Sequence, residues 1–281
     1  MKPRIICDSS CDLPKDFLIN DNIDLSIVPL SINVDGHEFI DDENLDTLEL
    51  LKAMKHSKTA TSSACPAPDK FAVELRKNLE NYVITMTSAL SGTYNSARIA
   101  KEMVLEKNKE IKIALFDTLS TSPAMILIVM KLRDLIKSGS MDFETIAKKI
   151  EDYQKTLELQ FLLQDLSNLV KTGRMSKVAG IVASALSIKP ICKADEHGEI
   201  QLSDKARGIK KALSKMANMV EDKLKSESSF PVVITHCNNP DHAQTLKELL
   251  NERFGLKEIY IFPMHGLTTY YANDKGLIMA Y

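Results

Sequence analysis

Asn81 to Ala97 reads NYVITMTSALSGTYNSA, and the fold turns on how this stretch is read. Tyr82 to Met86 is β-branched or apolar at most positions, Thr87 to Ser91 is a short hydroxyl-rich link, and a helical pattern follows Ser91. A strand therefore runs through a turn into a helix, with Ser91 and Thr93 at its N-cap and first turn. Backbone N–H groups without intrahelical partners and the positive end of the helix dipole converge there, which favours an anion. No Lys or Arg lies between Asn81 and Ala97, so the donors are hydroxyls and main-chain amides, a set suited to a carboxylate better than to a polyphosphate. Taken alone the turn is an ordinary Ser N-cap. The functional reading gains weight because other loops repeat the chemistry.

Upstream, Arg4 to Cys7 is a short apolar strand running into Asp8-Ser9-Ser10, and Leu25 to Val34 is a second extended stretch closed by Asp35-Gly36. Leu45, Leu48, Leu51 and Met54 mark a helix, and Thr61 to Cys65 is a loop delivering hydroxyls to a further helix opened by Pro66 and Pro68. Downstream, a helix runs to about Glu106, and Ile111 to Phe116 is a strand leading through Thr118-Leu119-Ser120-Thr121-Ser122 to a helix that starts at Pro123 and is apolar nearly all round. Phe143, Ile146, Ile150, Tyr153 and Leu157 mark another helix. Strands alternating with helices predict a mostly parallel sheet with helices on both faces, with ligands at the carboxyl ends of the strands, where the hydroxyl loops converge.

Beyond Leu157 the pattern changes. Leu162, Leu166, Leu169 and Val170 form a stripe ended by a helix C-cap at Gly173, with Arg174 next, and a second apolar helix covers Val178 to Leu186. Ile188 to Cys192 and Glu199 to Leu202 form a hairpin around Glu196-His197-Gly198. A helix from Ile209 to Val220, a strand at Val232 to Thr235, a helix opened by Asn239-Pro240, and strands at Ile259 to Phe262 and Leu277 to Tyr281 complete the chain. The expected fold class is α/β in two domains: 1–157 with the parallel sheet and the carboxylate-binding loops, and 158–281 as an α+β unit.

Composition narrows the function. The 281 residues are 44% hydrophobic, enough for a large core, and a formal charge of −2 provides no field for nucleic acid or acidic lipid. The five cysteines are scattered and the N-terminus has no apolar signal stretch, which fits a reducing cytoplasm. Cys7 and Cys11 lack a second close Cys/His pair for zinc and read better as core or loop thiols. The longest apolar run, Pro123 to Met130, is too short to span a bilayer. Neither G-x-G-x-x-G after a strand nor G-x-x-x-x-G-K-[ST] occurs, so no nucleotide cradle is visible and no cofactor is expected. Leu90-Ser91-Gly92 lacks the first glycine of a G-x-S-x-G elbow, leaving a serine-dependent acyl hydrolase as the alternative to a binding protein.

Asp8-Ser9-Ser10 with Asp12-Leu13-Pro14, Val28-Pro29-Leu30, Thr61-Ser62 with Cys65-Pro66, Leu90-Ser91-Gly92-Thr93-Tyr94, Gly173-Arg174-Met175-Ser176, Ile188-Lys189-Pro190 and Lys205-Ala206-Arg207-Gly208 together resemble the DegV family nearly end to end. The resemblance implies a non-catalytic carrier that encloses one long-chain fatty acid between its two domains and presents the carboxylate to a separate ATP-dependent fatty-acid kinase. It implies that Thr61, Ser62, Ser91 and Gly92 hold the carboxylate. The family's loop more often reads T-S-Q-P-S, so Cys65 replaces a hydroxyl here. Where the family shows H-x-G-P-G, this chain has His265-Gly266-Leu267-Thr268-Thr269-Tyr270-Tyr271. Either a Tyr stands where the His belongs or His265 reaches the site from a shifted position. Arg174 and Arg207 are candidates for docking the kinase; by residue type alone they are equally a solvated basic face. Ala124 to Met130, Phe161 to Leu163 and Val178 to Leu186 are the candidate tunnel lining.

Overall fold

The computed structural model describes residues 2–175 and 188–281; the expected helix at Val178 to Leu186 and Ser176 lie outside them. Strand β1 (Arg4–Asp8) pairs in parallel with β2 (Asp24–Val28) and with β6 (Glu80–Thr85), which pairs in parallel with β7 (Lys112–Asp117), giving the order β2-β1-β6-β7. Alternate side chains go to opposite faces, as the two-residue period requires. Ile6, Val83 and Ile113 pack beneath helices α2 (Pro68–Leu75) and α3 (Thr93–Lys107). Ile5, Cys7, Tyr82, Ile84 and Phe116 face the other way, towards α4 (Pro123–Ser138) and α5 (Phe143–Gln154).

Every residue of α4 from Pro123 to Met130 is buried, because the helix lies between two sheets. On its far side stands a six-stranded mixed sheet, in the order β10-β9-β8-β13-β11-β12. Its strands are β8 (Leu159–Leu162), β9 (Ile188–Ala194), β10 (Ile200–Arg207), β11 (Val232–His236), β12 (Ile259–Pro263) and β13 (Leu277–Ala280). Val233, Phe161 and Ile278 point to the core shared with α4. Ile234, Leu162 and Met279 point outward beneath α7 (Ile209–Asn218) and α9 (Pro240–Phe254). Short helices α6 (Ser167–Lys171), α8 (Glu221–Leu224) and α10 (Gly266–Ala272) join these elements, and α1 (Thr47–His56) packs on α10. All four strands of the parallel sheet end before residue 118, and all six of the mixed sheet begin after 158.

Three local readings are corrected. Leu25 to Val34 is not one extended stretch: Pro29, which has no N–H to donate, separates β2 from β3 (Ser31–Val34), which joins an antiparallel sheet with β4 (His37–Ile40). Thr61 to Cys65 is not simply a loop, since Ser62–Ala64 forms β5 on the edge of that small sheet, Ser62 opposite Asn33. The apolar stripe from Leu162 to Val170 is not one helix. It divides into β8, buried at all four positions, and the five-residue α6, because a strand covered on both faces shows no alternation to betray it. After His265, where the sequence suggested no element, stands α10, composed largely of Gly, Thr and Tyr, which favour helix weakly.

Gly173 does close α6 as expected, with φ +78° and the Arg174 N–H returning to the Leu169 carbonyl at 2.9 Å. The hairpin of β9 and β10 turns at Gly198, φ +76°, whose carbonyl accepts the Thr87 hydroxyl at 3.2 Å. A Cβ there would stand 2.1 Å from Thr87 Oγ1 and 2.9 Å from Leu119 Cα. Gly198→Ala should therefore cost about 1–3 kcal/mol in equilibrium denaturation, from the left-handed backbone and the displaced hairpin tip together. Wild-type stability in that variant would show that the tip is not seated on Thr87 and Leu119.

Candidate functional site

The carboxyl ends of β1, β6 and β7 open onto a cavity between the two large sheets. Ser10, Met86, Thr87, Ser120 and Thr121 line it from the parallel-sheet side. From the other side come Phe161 and Leu163 near β8, Leu169 of α6, Ile278 of β13, and Leu267, Thr268 and Tyr271 of α10. The wall is predominantly apolar. Of the expected lining, Phe161 and Leu163 line it, whereas Leu162 points into the outer core and Ala124 to Met130 are buried beside it. Two hydroxyls on the wall, Ser120 Oγ and Thr268 Oγ1, are buried with no hydrogen-bond partner among the described residues. A buried polar atom left unpaired costs about 1–3 kcal/mol.

None of the expected carboxylate residues Thr61, Ser62, Ser91 and Gly92 lines this cavity; they lie together beside its rim at Leu90, next to Ser91, and Tyr271, which bonds Ser63. Gly92 is the N-cap of α3, with no side-chain cap, and Ser91 Oγ accepts the Thr93 N–H at 3.3 Å and pairs with Thr93 Oγ1 at 2.8 Å. A Cβ on Gly92 would come within 3.2 Å of Cys65 Sγ, so the β5 segment and the Ser91 turn adjoin. Thr61 Oγ1 meets the Tyr270 hydroxyl at 3.0 Å and Ser63 Oγ meets Tyr271 at 2.8 Å, which ties β5 to α10. Ser62 is exposed on the β5 edge. Arg174 lines the cavity beside this rim, donating from Nε to the Leu90 carbonyl at 3.2 Å and from a terminal nitrogen to the Thr172 carbonyl at 2.8 Å. Its guanidinium also lies 6.0 Å from the Tyr271 ring centroid, so it is a built part of the wall. Arg207 is separate, exposed at the end of β10 beside Lys210 and Lys211.

His265 stands elsewhere. It precedes α10, while Tyr270 and Tyr271, which reach the Thr61 segment, stand towards its end. The imidazole lines a different cleft, with Pro29, Asp41 and Leu45. Tyr270 and Tyr271 contact the Thr61 to Cys65 segment, and His265 does not line the same cavity. Sequence reading offered a Tyr here without choosing between Tyr270 and Tyr271, and did not single out Thr268 or Ser120, both of which line the cavity. The hydroxyl-rich third loop was the visible signal for Ser120, and the Thr-Thr-Tyr-Tyr run the only one for the others.

Three carboxylates lie buried behind the cavity. Asp8 accepts the Met86 N–H at 2.7 Å and both the N–H and the hydroxyl of Ser10, at 3.0 and 2.5 Å. Asp12 accepts the His265 N–H at 2.7 Å and the Ser122 hydroxyl, which in turn contacts Thr235 Oγ1 at 2.8 Å. Asp41 accepts the N–H groups of Gly266 at 2.6 Å and Leu267 at 2.8 Å. Burial pushes the Asp8 and Asp12 carboxyls up from 3.8 to about 6, against the hydrogen bonds that favour the charged form.

The chain was compared with known proteins on this footing. The DegV family model matches residues 2–276. The chain belongs to the DegV family. A DegV domain-containing protein of Streptococcus pneumoniae is 38% identical over 283 residues, covering 99% of this chain and 98% of its own. The X-ray structure of the S. pneumoniae fatty acid kinase (Fak) B3 protein, loaded with linoleic acid, superposes with a TM-score of 0.92 at 36% identity, over 100% of this chain and 99% of that one. A DegV family protein from Eubacterium eligens, loaded with heptadecanoic acid, gives 0.92 at 32% identity, over 99% and 98%. The DegV fold assigned from the sequence is the fold observed. No helix among the described residues is long and apolar enough to cross a membrane, and none of their His, Cys, Asp and Glu groups has a metal-holding arrangement.

A raised carboxyl contributes stability that is complete below its unfolded value near 3.8 and is lost as pH rises through about 6. Asp12→Asn keeps an acceptor for the His265 N–H and removes the titration. Between about pH 5 and 7.5 the wild type should lose about 1 kcal/mol more stability than the variant in denaturant titrations. His236, whose pKa burial lowers, acts in the opposite sense and cancels in this comparison. Parallel pH profiles would contradict a buried ionisable Asp12.

Proposed function

We propose that this protein binds one long-chain fatty acid between residues 1–157 and 158–281, its carboxylate at the rim formed by Thr61, Ser62, Ser91, Gly92 and Thr268. The observation that carries the reading is the apolar cavity at the strand ends, flanked by hydroxyl loops and carrying two buried hydroxyls without partners. An alkyl chain in such a cavity gains about 0.8 kcal/mol per buried CH₂, and hydroxyls and amides replace the water lost from the carboxylate. The fatty acids carried by the E. eligens and S. pneumoniae relatives support the same ligand class here. The protein acts as a carrier without a cofactor of its own. Among the described residues both hydrogen bonds of Ser91 Oγ go to Thr93 and none of its partners is a base, which favours a carrier over the hydrolase alternative.

Similarity to the Fak B3 protein supports a further step, presentation of the carboxylate to a separate ATP-dependent kinase. Arg207, exposed beside Lys210 and Lys211, is the docking residue in this reading, steering an acidic partner surface. Arg174, hydrogen-bonded in the cavity wall, serves the rim as well as any docking face.

Extraction of the denatured protein into an apolar solvent should yield a long-chain fatty acid by mass spectrometry, and an extract without acyl species contradicts the reading. Ser91→Ala and Thr268→Val should each weaken binding by about 1.5–3 kcal/mol in a fluorescent fatty-acid displacement titration, the cost of a hydrogen bond to a charged group. Arg207→Ala should keep wild-type affinity and lose acyl-phosphate formation in a reconstituted kinase assay. Normal turnover in that variant returns Arg207 to the solvated surface.

A further inference from the structure

Helix α10 is seven residues long and begins Gly-Leu-Thr-Thr, a sequence that would not hold a helix unaided. Its opening amides find no side-chain cap within the helix. Their acceptors come from the other end of the chain. Asp12 takes the His265 N–H, 253 residues away, and Asp41 takes those of Gly266 and Leu267, 225 and 226 residues away. Both carboxylates are almost completely buried, at 1% and 2% exposure, and neither lines the cavity. The same helix presents Leu267, Thr268 and Tyr271 to that cavity, and its tyrosine hydroxyls hold Thr61 and Ser63. The parts meet too closely for a larger residue at position 266: a Cβ there would stand 2.6 Å from Asp41 Oδ1 and 2.2 Å from Leu45 Cδ2.

We infer that Asp12 and Asp41 are positioning residues for ligand binding, a carboxylate clamp that fixes the start of α10 and through it the cavity face of Leu267, Thr268 and Tyr271. The inference rests on the cavity being the fatty-acid site. Charge at Asp41 strengthens the paired acceptance of two amides at a helix N-terminus, and protonation places a donor against one of them. Burial raises the Asp41 carboxyl, while the Leu267 and Gly266 amides, the Ser9 hydroxyl and His265 favour its charged form. Asp8 and Asp12 lie near enough to repel it. At the mouth of the adjoining cleft, Asp42 is exposed and Lys15 and Glu43 pair with each other at 2.7 Å.

Fatty-acid affinity is the measurement, taken on wild type, Asp41→Asn, Gly266→Ala and, as a control, Leu250→Ala, which opens a cavity in the separate core beneath α9. Wild type should bind at least tenfold more tightly than Asp41→Asn and Gly266→Ala at about pH 8, and Leu250→Ala should bind as wild type does although its melting temperature falls. The ratio of wild-type to Asp41→Asn affinity should shrink as pH is lowered towards about 5, because the ligand's own ionisation cancels and only the clamp's titration remains. Should Asp41→Asn fail to fold, Gly266→Ala carries the test with every charge retained. Variants that melt earlier but bind normally, or a ratio that does not change with pH, would reduce the clamp to a structural contact. A wild type that binds no fatty acid would instead overturn the reading of the cavity itself.

Discussion

Asp12 and Asp41 are buried carboxylates with no salt-bridge partner among the described residues, and burial at that cost obliges hydrogen-bond donors to come to them. The donors they recruit are main-chain amides at the start of α10, with the Ser122 hydroxyl bridging onward to Thr235. Ser122 opens α4 with φ +50°, a strained backbone for a residue with a side chain, and its N–H returns to the Ser10 carbonyl at 3.0 Å. The β1 loop, the start of α4, β11 of the mixed sheet and α10 are therefore joined at one polar point. Replacing such a network with apolar side chains could leave the fold standing, but it would remove what fixes the direction in which α10 faces.

The cavity follows from that junction. Helix α4 fills the space between the two sheets along its buried length, and the space beyond its N-terminus is bounded by strand-end loops on one side and α10 on the other. Apolar walls come from Phe161 of β8, Leu163 just beyond it and Ile278 of β13, two strands buried on both faces. Hydroxyls come from loops that a parallel sheet must place at its carboxyl edge. A single-sided arrangement, with donors at one rim and hydrocarbon beyond it, is what an amphipathic acid requires.

The first half of the chain was largely legible in its sequence because its strands alternate with amphipathic helices, so the Ser91 turn could be placed from local pattern alone. In the second half, β8 and α10 were hidden for opposite reasons. Leu159 to Leu162 is buried at every position and shows no period, while Gly266 to Ala272 owes its helix to acceptors at Asp12 and Asp41 that no local window contains. The site shows the same division. Ser91, Gly92 and Thr61 are proposed from helix ends and from family resemblance, whereas the tyrosine hydroxyls of Tyr270 and Tyr271 reach the Thr61 segment only through contacts spanning more than 100 residues, and Thr268 stands out only through burial. His265 lines a separate cleft, and its backbone N–H donates to Asp12, a partner 253 residues away that no local window shows.

The central claim is that a fatty acid lies between the two sheets with its carboxylate at the Ser91 rim. A crystal structure with a long-chain acid brominated at its methyl end tests it most directly, since anomalous scattering locates the tail independently of the carboxylate. The account predicts bromine inside the apolar cavity and carboxylate oxygens within hydrogen-bonding distance of Ser91 and Thr268. Bromine on the outer surface, or a carboxylate in the His265 cleft with the Ser91 rim unbound, would contradict it.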